Sequence, residues 1–241
     1  MDLSIVIPAF REGGKIRHDV AAAAAMLASR GLVGEIIVVD DGSPDGTQEA
    51  AAAVELPPGV DRKVIRYALN RGKGFAVRTG MATSRGDYAM FADVGVCVPY
   101  ESALVGIELI KSGRCEIAHG SRKLPDSRQV RRQRLYRRVL SWGFRKTVGL
   151  FMGVPPDLTD TQCGFKVYRG DVARELYGQC LSDGFMFDIE ILLRALKAGY
   201  RVLEFPVEWR CDWDSRLHPG RSAASTFSEL RAIKRNIEDH P

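Results

Sequence analysis

At 241 residues, 45% hydrophobic and 27% charged, the chain has the size of one α/β domain or of a domain with a small appendage, and it is excluded from the disordered and fibrous classes. No apolar run approaches the roughly 20 residues that cross a bilayer, and the start "MDLSIVIPAF" reads as a first strand rather than a signal peptide. Five cysteines, odd in number and without a CxxC pair, argue against a disulfide framework or a zinc site and for reduced thiols in a cytoplasmic setting. The net charge of +5 is modest but uneven. From Ser121 to Lys146 ten Lys/Arg stand against one acid, Asp126, a patch that seeks phosphate on nucleic acid, an anionic membrane surface or a phosphorylated substrate.

Short apolar runs alternate with helical patterns along the chain. Strands are expected at 3–9, 35–40, 63–67, 88–93 and 116–121, with helices at 14–30, 47–54, 73–84 and 100–112 between them. Such alternation predicts a Rossmann-like α/β fold, a mostly parallel sheet with helices on both faces. The second half is less regular: a basic helix at 130–150, a strand at 164–169, a helix at 185–198 and a strand at 201–209. The division expected is a main domain over 1–210 and an appendage over 211–241 carrying one helix at 222–238.

Ligands of an open parallel sheet bind beyond the carboxyl ends of its strands. Acids stand there twice, as Asp40-Asp41 after "EIIVV" and as Asp93 after "YAMFA". An unpartnered charge at the end of an apolar run is costly, which points to a ligand site. Helix capping by Ser43 or Asp45 near Thr47 explains at most one of these acids. In "NRGKGFAVRTGM", Gly72 and Gly74 bracket Lys73 ahead of a helix, an arrangement that brings backbone amides and a cation to phosphate. Neither a Walker A loop nor a GxGxxG fingerprint is present.

In this order, "SIVIPAFRE", "EIIVVDDGSPDGT", "NRGKGFAVRTGM", "DYAMFADVGVCVP", "GSRK", "DTQCGFKVYR" and "DGFMFDIEIL" resemble family 2 glycosyltransferases of the GT-A fold. The resemblance covers about residues 3 to 210. It is nearest to the branch that makes polyprenyl- or dolichyl-phosphate sugars. It implies an inverting transferase moving glucose or mannose from a UDP- or GDP-linked donor to polyprenyl phosphate. Pro8, Ala9, Phe10 and Glu12 would line the base and ribose, with Asp41 or Asp40 accepting from the base N–H. Lys73 and Arg71 would lie near the base and diphosphate, and Asp93 near the ribose or the metal. Asp188 would be the acid facing the reacting centre, with Glu190 pointing elsewhere on its helix. Arg122, Arg137 and Ser141 would hold the lipid phosphate, and Trp209 with 215–222 would close over the acceptor.

The family's DxD loop supplies two carboxylates to Mg²⁺ or Mn²⁺, whereas this chain has Asp93-Val94-Gly95. Three readings stay open: a metal carried in with the nucleotide and held weakly by Asp93, a nearby Arg or Lys partly replacing it, or a weakened or inactive member. The basic segment around "RRQRLYRRVLSWGFRK" suits the headgroup region of an anionic leaflet, so a peripheral, cytoplasmic membrane protein is expected. Alternatives are a transferase with a non-lipid acceptor and a nucleotide-sugar-binding pseudoenzyme. A nucleic-acid partner is not expected, because no recognised motif accompanies the charge.

Overall fold

The runs "LSIVIPA" and "EIIVV" carry apolar residues at consecutive positions, so each strand is stable only when both its faces are covered. In the computed structural model, which describes residues 1–130, 149, 151–210 and 223–239, β1 (Leu3–Ala9) lies between β2 (Gly34–Asp40) and β4 (Tyr88–Ala92) and is parallel to both. β3 (Val60–Arg66) extends the sheet beyond β2. On the other side, β5 (Ile117–Ser121), β7 (Phe165–Arg169) and β8 (Val202–Pro206) complete a seven-stranded sheet in the order β3-β2-β1-β4-β7-β5-β8. The α/β architecture expected from the alternation is thus present.

One strand runs against the rest. β7 is antiparallel to both β4 and β5, with Lys166 opposite Phe91 on one side and His119 on the other. The chain leaves β5 at the carboxyl edge and re-enters β7 at that same edge, where Phe165 pairs with Ala92. A strand that starts at the edge where its parallel neighbours end runs backwards between them. This brings the "DTQCGF" segment to the ligand-binding edge of the sheet.

Helices cover both faces, as expected. α1 (Ile16–Ser29), α2 (Thr47–Ala52) and α4 (Ala103–Lys111) pack on one side with Leu3, Ile5, Val38 and Val167. α3 (Lys73–Ala82), α5 (Gly170–Gln179) and α6 (Phe187–Lys197) pack on the other with Val6, Ile37, Phe91 and Tyr168. Each such fully buried side chain contributes about 1.5–3 kcal/mol relative to exposure. α7 (Ala223–Asp239) docks through Leu230 and Ile233 onto Met186 and Ile189.

Three details depart from the sequence expectation. α5 was not anticipated, although Val172, Ala173, Leu176 and Tyr177 recur at helical spacing and are all buried. The strand expected over 201–209 is interrupted after Pro206, and Glu208–Trp209 (β9) pairs instead with Arg128–Gln129 (β6) in a separate two-stranded sheet. The helix expected over 100–112 opens with a 3₁₀ turn at Tyr100–Ser102. The basic helix expected over 130–150 falls almost wholly outside the described residues. No helix among the described residues is long and apolar enough to cross a membrane.

Candidate functional site

The loops after β1 and β2 are tied to each other by the side chains of "DDGSPDGT". Ser43 Oγ accepts the Arg11 amide at 2.8 Å, Thr47 Oγ1 accepts the Glu12 amide at 2.9 Å, and Asp45 accepts the Gly13 amide at 3.1 Å. Gly46 stands at the N-cap of α2. Of the two capping candidates, Asp45 serves this helix end, accepting the Thr47 hydroxyl at 2.6 Å and the Thr47 amide, while Ser43 turns to the Arg11 amide. These polar groups hold the strip Pro8, Ala9, Phe10 and Glu12, on which the base and ribose were expected to lie. Asp45 is exposed and sits below its usual range because the Thr47 hydroxyl and the Gly13 and Thr47 amides outweigh a small desolvation cost.

Asp40 and Asp41 split their work. Asp40 is fully buried; one oxygen accepts the Ser43 amide at 3.0 Å, and the other lies 3.7 Å from Arg66 Nε. Asp41 turns to the 70–72 loop. Its Oδ1 accepts the Arg71 amide at 2.7 Å, and its Oδ2 accepts the Gly72 amide and Asn70 Nδ2, both at 2.8 Å. Burial nevertheless holds Asp41 above the usual carboxylate range, against those amides and with Asp40 adding to the rise. Both Asp41 oxygens are engaged by the protein's own loop, so Asp41 positions the loop that carries Arg71 and Lys73. The Arg71 guanidinium lies over the Phe75 ring, 3.4 Å from its centroid.

At the end of β4 four charges alternate in sign. Lys73 Nζ, at the start of α3, is 2.6 Å from Asp93 Oδ1. Lys166 in β7, 1% exposed, pairs with Asp188 at the start of α6, 5% exposed, and also donates to Thr161 O at 2.9 Å. Burial raises Asp188 despite Lys166 and Lys73 nearby. Burial would lower Lys73, but Asp93 and then Asp188 more than reverse it, so its ammonium form is favoured. Asp188 is therefore buried, with Lys166 as its partner and the Lys73 charge near enough to act on it. Glu190 points elsewhere, as expected: it accepts the Leu181 and Ser182 amides and pairs with Arg194. Gly164 completes the strand end, since a Cβ there would sit 2.0 Å from Asp93 Oδ2.

The fit of a divalent metal is decided by the residues after Asp93. Gly95 has φ +105°, a conformation that L side chains rarely adopt, and Val96 is also left-handed at φ +47°. Their amides point away from the site to Asp19 of α1, which is wholly buried and accepts both at 2.9–3.0 Å. Asp93 is the one carboxylate that this loop offers, and Lys73 holds it. No group of three or more His, Cys, Asp or Glu is placed to hold a metal among the described residues. The described residues thus do not fit a protein-built Mg²⁺ or Mn²⁺ cage, which needs several oxygen ligands.

On the far side, Arg122 follows β5 and meets Asp160 through a two-pronged contact, with Nε and Nη2 each 2.6 Å from a carboxylate oxygen. That fork lowers Asp160 although burial alone would raise it. Trp209 lies against the Arg122 guanidinium, 5.3 Å from ring centroid to Cζ. Arg137, Ser141 and the segment 215–222 lie outside the described residues. Asp19, Asp160 and Lys166 were not assigned from the sequence. Asp19 had a readable signal, an acid on the apolar stripe of α1 beside Ile16, Val20, Ala23 and Leu27.

The chain is similar to known proteins along most of its length. The model of Glycosyl transferase family 2 matches residues 4–177. A Saccharomyces cerevisiae protein named dolichyl-phosphate beta-glucosyltransferase is 31% identical over 86% of this chain and 66% of its own length. A Drosophila melanogaster protein of the same name is 31% identical over 91% of this chain and 70% of its own. The chain therefore spans about two thirds of the length of these relatives. Among solved structures, glucosyl-3-phosphoglycerate synthase from Mycobacterium tuberculosis, in complex with Mn²⁺, UDP and phosphoglyceric acid, superimposes with a TM-score of 0.67 at 18% identity over 99% of this chain and 78% of that one.

Proposed function

The chain belongs to glycosyl transferase family 2, and on that premise we propose that it is a hexosyltransferase moving a sugar from a nucleoside-diphosphate donor to polyprenyl phosphate with inversion at C1. The observation that carries this reading is the similarity to dolichyl-phosphate beta-glucosyltransferases over 86% and 91% of the chain. Glucose, from UDP-glucose, is the sugar those names favour. Pro8, Ala9, Phe10 and Glu12, with the Asp40-Asp41 loop, receive the nucleoside. Arg71 and Lys73 meet the diphosphate.

The acceptor oxygen is already anionic at neutral pH, so no general base is required, and positioning with leaving-group stabilisation suffices. Arg122, Arg137 and Ser141 hold that phosphate. An anionic, cytoplasm-facing membrane surface is where the basic 121–146 segment and such an acceptor would meet. The M. tuberculosis synthase was solved in complex with Mn²⁺ and UDP; the single carboxylate of this chain's loop would leave most of such an ion's ligands to phosphate and water.

Incubating the full chain with UDP-glucose or GDP-mannose and polyprenyl phosphate should yield glycosyl phospholipid, with the UDP donor preferred. Arg137→Ala and Ser141→Ala should raise the KM for polyprenyl phosphate while donor binding stays intact. Donor consumption without lipid product would instead support a non-lipid acceptor. Donor binding with neither transfer nor hydrolysis would leave a nucleotide-sugar-binding protein.

A further inference from the structure

Two observations at the end of β4 converge. The position that would bring a second carboxylate to a metal is Gly95, whose φ of +105° resists any side chain and whose amide is committed to Asp19. The remaining carboxylate, Asp93, is already joined to a cation, Lys73 Nζ at 2.6 Å. A divalent ion arriving at Asp93 would have to share that carboxylate with the ammonium and find its other ligands in phosphate and water. Lys73 occupies the place where such an ion's charge would stand.

Resting on the transferase reading above, we propose that the Lys73 ammonium takes the role of the divalent metal, binding the donor diphosphate and stabilising it as leaving group, so that donor binding and transfer need no divalent ion. Lysine suits this work: its charge sits on a flexible stem with three donors, so one N–H remains on Asp93 while others turn to phosphate oxygens. Asp93 and Asp188 both favour the charged form of Lys73. Lys73 is also the first residue of α3, whose positive end faces the same place. Lys166 balances Asp188 from below, so two lysines and two aspartates make a neutral set into which an anion enters without facing uncompensated carboxylates.

In the transfer the bond between the sugar C1 and the β-phosphate oxygen breaks, its electron pair leaving on the diphosphate. A new bond forms from C1 to the anionic oxygen of the acceptor phosphate. No proton moves, and Lys73 keeps its own while its charge pairs with the departing diphosphate.

Calorimetry on the full chain with UDP, and in parallel with GDP, tests this in excess EDTA and in excess Mn²⁺. The favoured nucleotide should bind wild type with Kd values within about threefold of each other in the two conditions. Lys73→Met should weaken it by about tenfold or more while leaving uridine or guanosine binding unchanged, and Lys73→Arg should recover part of the loss. A merely structural lysine would not separate diphosphate from nucleoside in this way. Binding by wild type only when Mn²⁺ is present would overturn the proposal and leave the transferase reading standing, as would a folded Lys73→Met chain that binds like wild type. Failure of both diphosphates to bind in either condition would overturn the proposal and the transferase reading together. The wild-type metal arm decides the matter even if Lys73→Met does not fold.

Discussion

Both carboxylate oxygens of Asp19 accept the amide of Gly95, each at 3.0 Å, although the two residues are 76 positions apart. The Val96 amide at 2.9 Å and the Tyr100 hydroxyl at 3.4 Å, both donating to Oδ1, complete the grip. The loop after the strand-end Asp93 is thus folded around an acid buried in α1.

Removing that acid should loosen the loop. Asp19→Ala leaves two amides of the loop without their acceptor and should cost about 2–4 kcal/mol in a denaturant titration. Asp19→Asn keeps an oxygen and removes the charge, so it should cost less. Burial holds Asp19 above its ordinary value of 3.8, against the Gly95 and Val96 amides. A raised folded-state value means that the folded chain binds the proton more tightly. Stability relative to Asp19→Asn should therefore fall as pH rises from about 3.8 through the raised value and level off above it. A flat difference over that window would show that burial does not dominate at Asp19.

Gly95→Asp, which restores the missing carboxylate in sequence, should not restore a metal site. At φ +105° the new side chain is strained by about 1–3 kcal/mol. The variant should melt below wild type, and Mn²⁺ titration in the presence of UDP should show no tightening. Tight Mn²⁺ binding by Gly95→Asp would mean that the loop can reshape around an ion.

The Lys166–Asp188 pair should behave as a buried pair does. Lys166→Met strands Asp188 and should cost about 3–5 kcal/mol, while Lys166→Met combined with Asp188→Leu should recover most of it. Urea denaturation of the two chains reads the difference. Equal losses in both would show that packing rather than charge explains the effect.

Arg122 and Asp160 supply the clearest pH signature. Asp160 is held below its ordinary value of 3.8 chiefly by the Arg122 fork, which overcomes its burial. Its contribution is complete above pH 3.8 and is lost as pH falls through the depressed value. Arg122→Ala should cost about 3–5 kcal/mol at neutral pH, and the gap from wild type should narrow on acidification. A gap that widens in acid would contradict the pairing.

Much of the scaffold was legible because its causes are local. Apolar runs at 3–9 and 35–40 can be stable only inside a sheet, and helical spacing between them calls for covering helices. The same logic placed Asp40, Asp41 and Asp93 at strand ends. What these acids touch was not legible. Lys73 reaches Asp93 because β4 lies next to β1 with α3 packed over both, and Lys166 reaches Asp188 because β7 is inserted backwards between β4 and β5. Strand order and direction depend on which packing buries the most apolar surface overall, a property of the whole chain that no local pattern carries. The sequence by itself thus determined that carboxylates and a lysine stand at the sheet's carboxyl edge. Only the tertiary structure decided that Asp41 holds the 70–72 loop, that Asp19 takes the amide of Gly95, and that Asp93 is joined to Lys73.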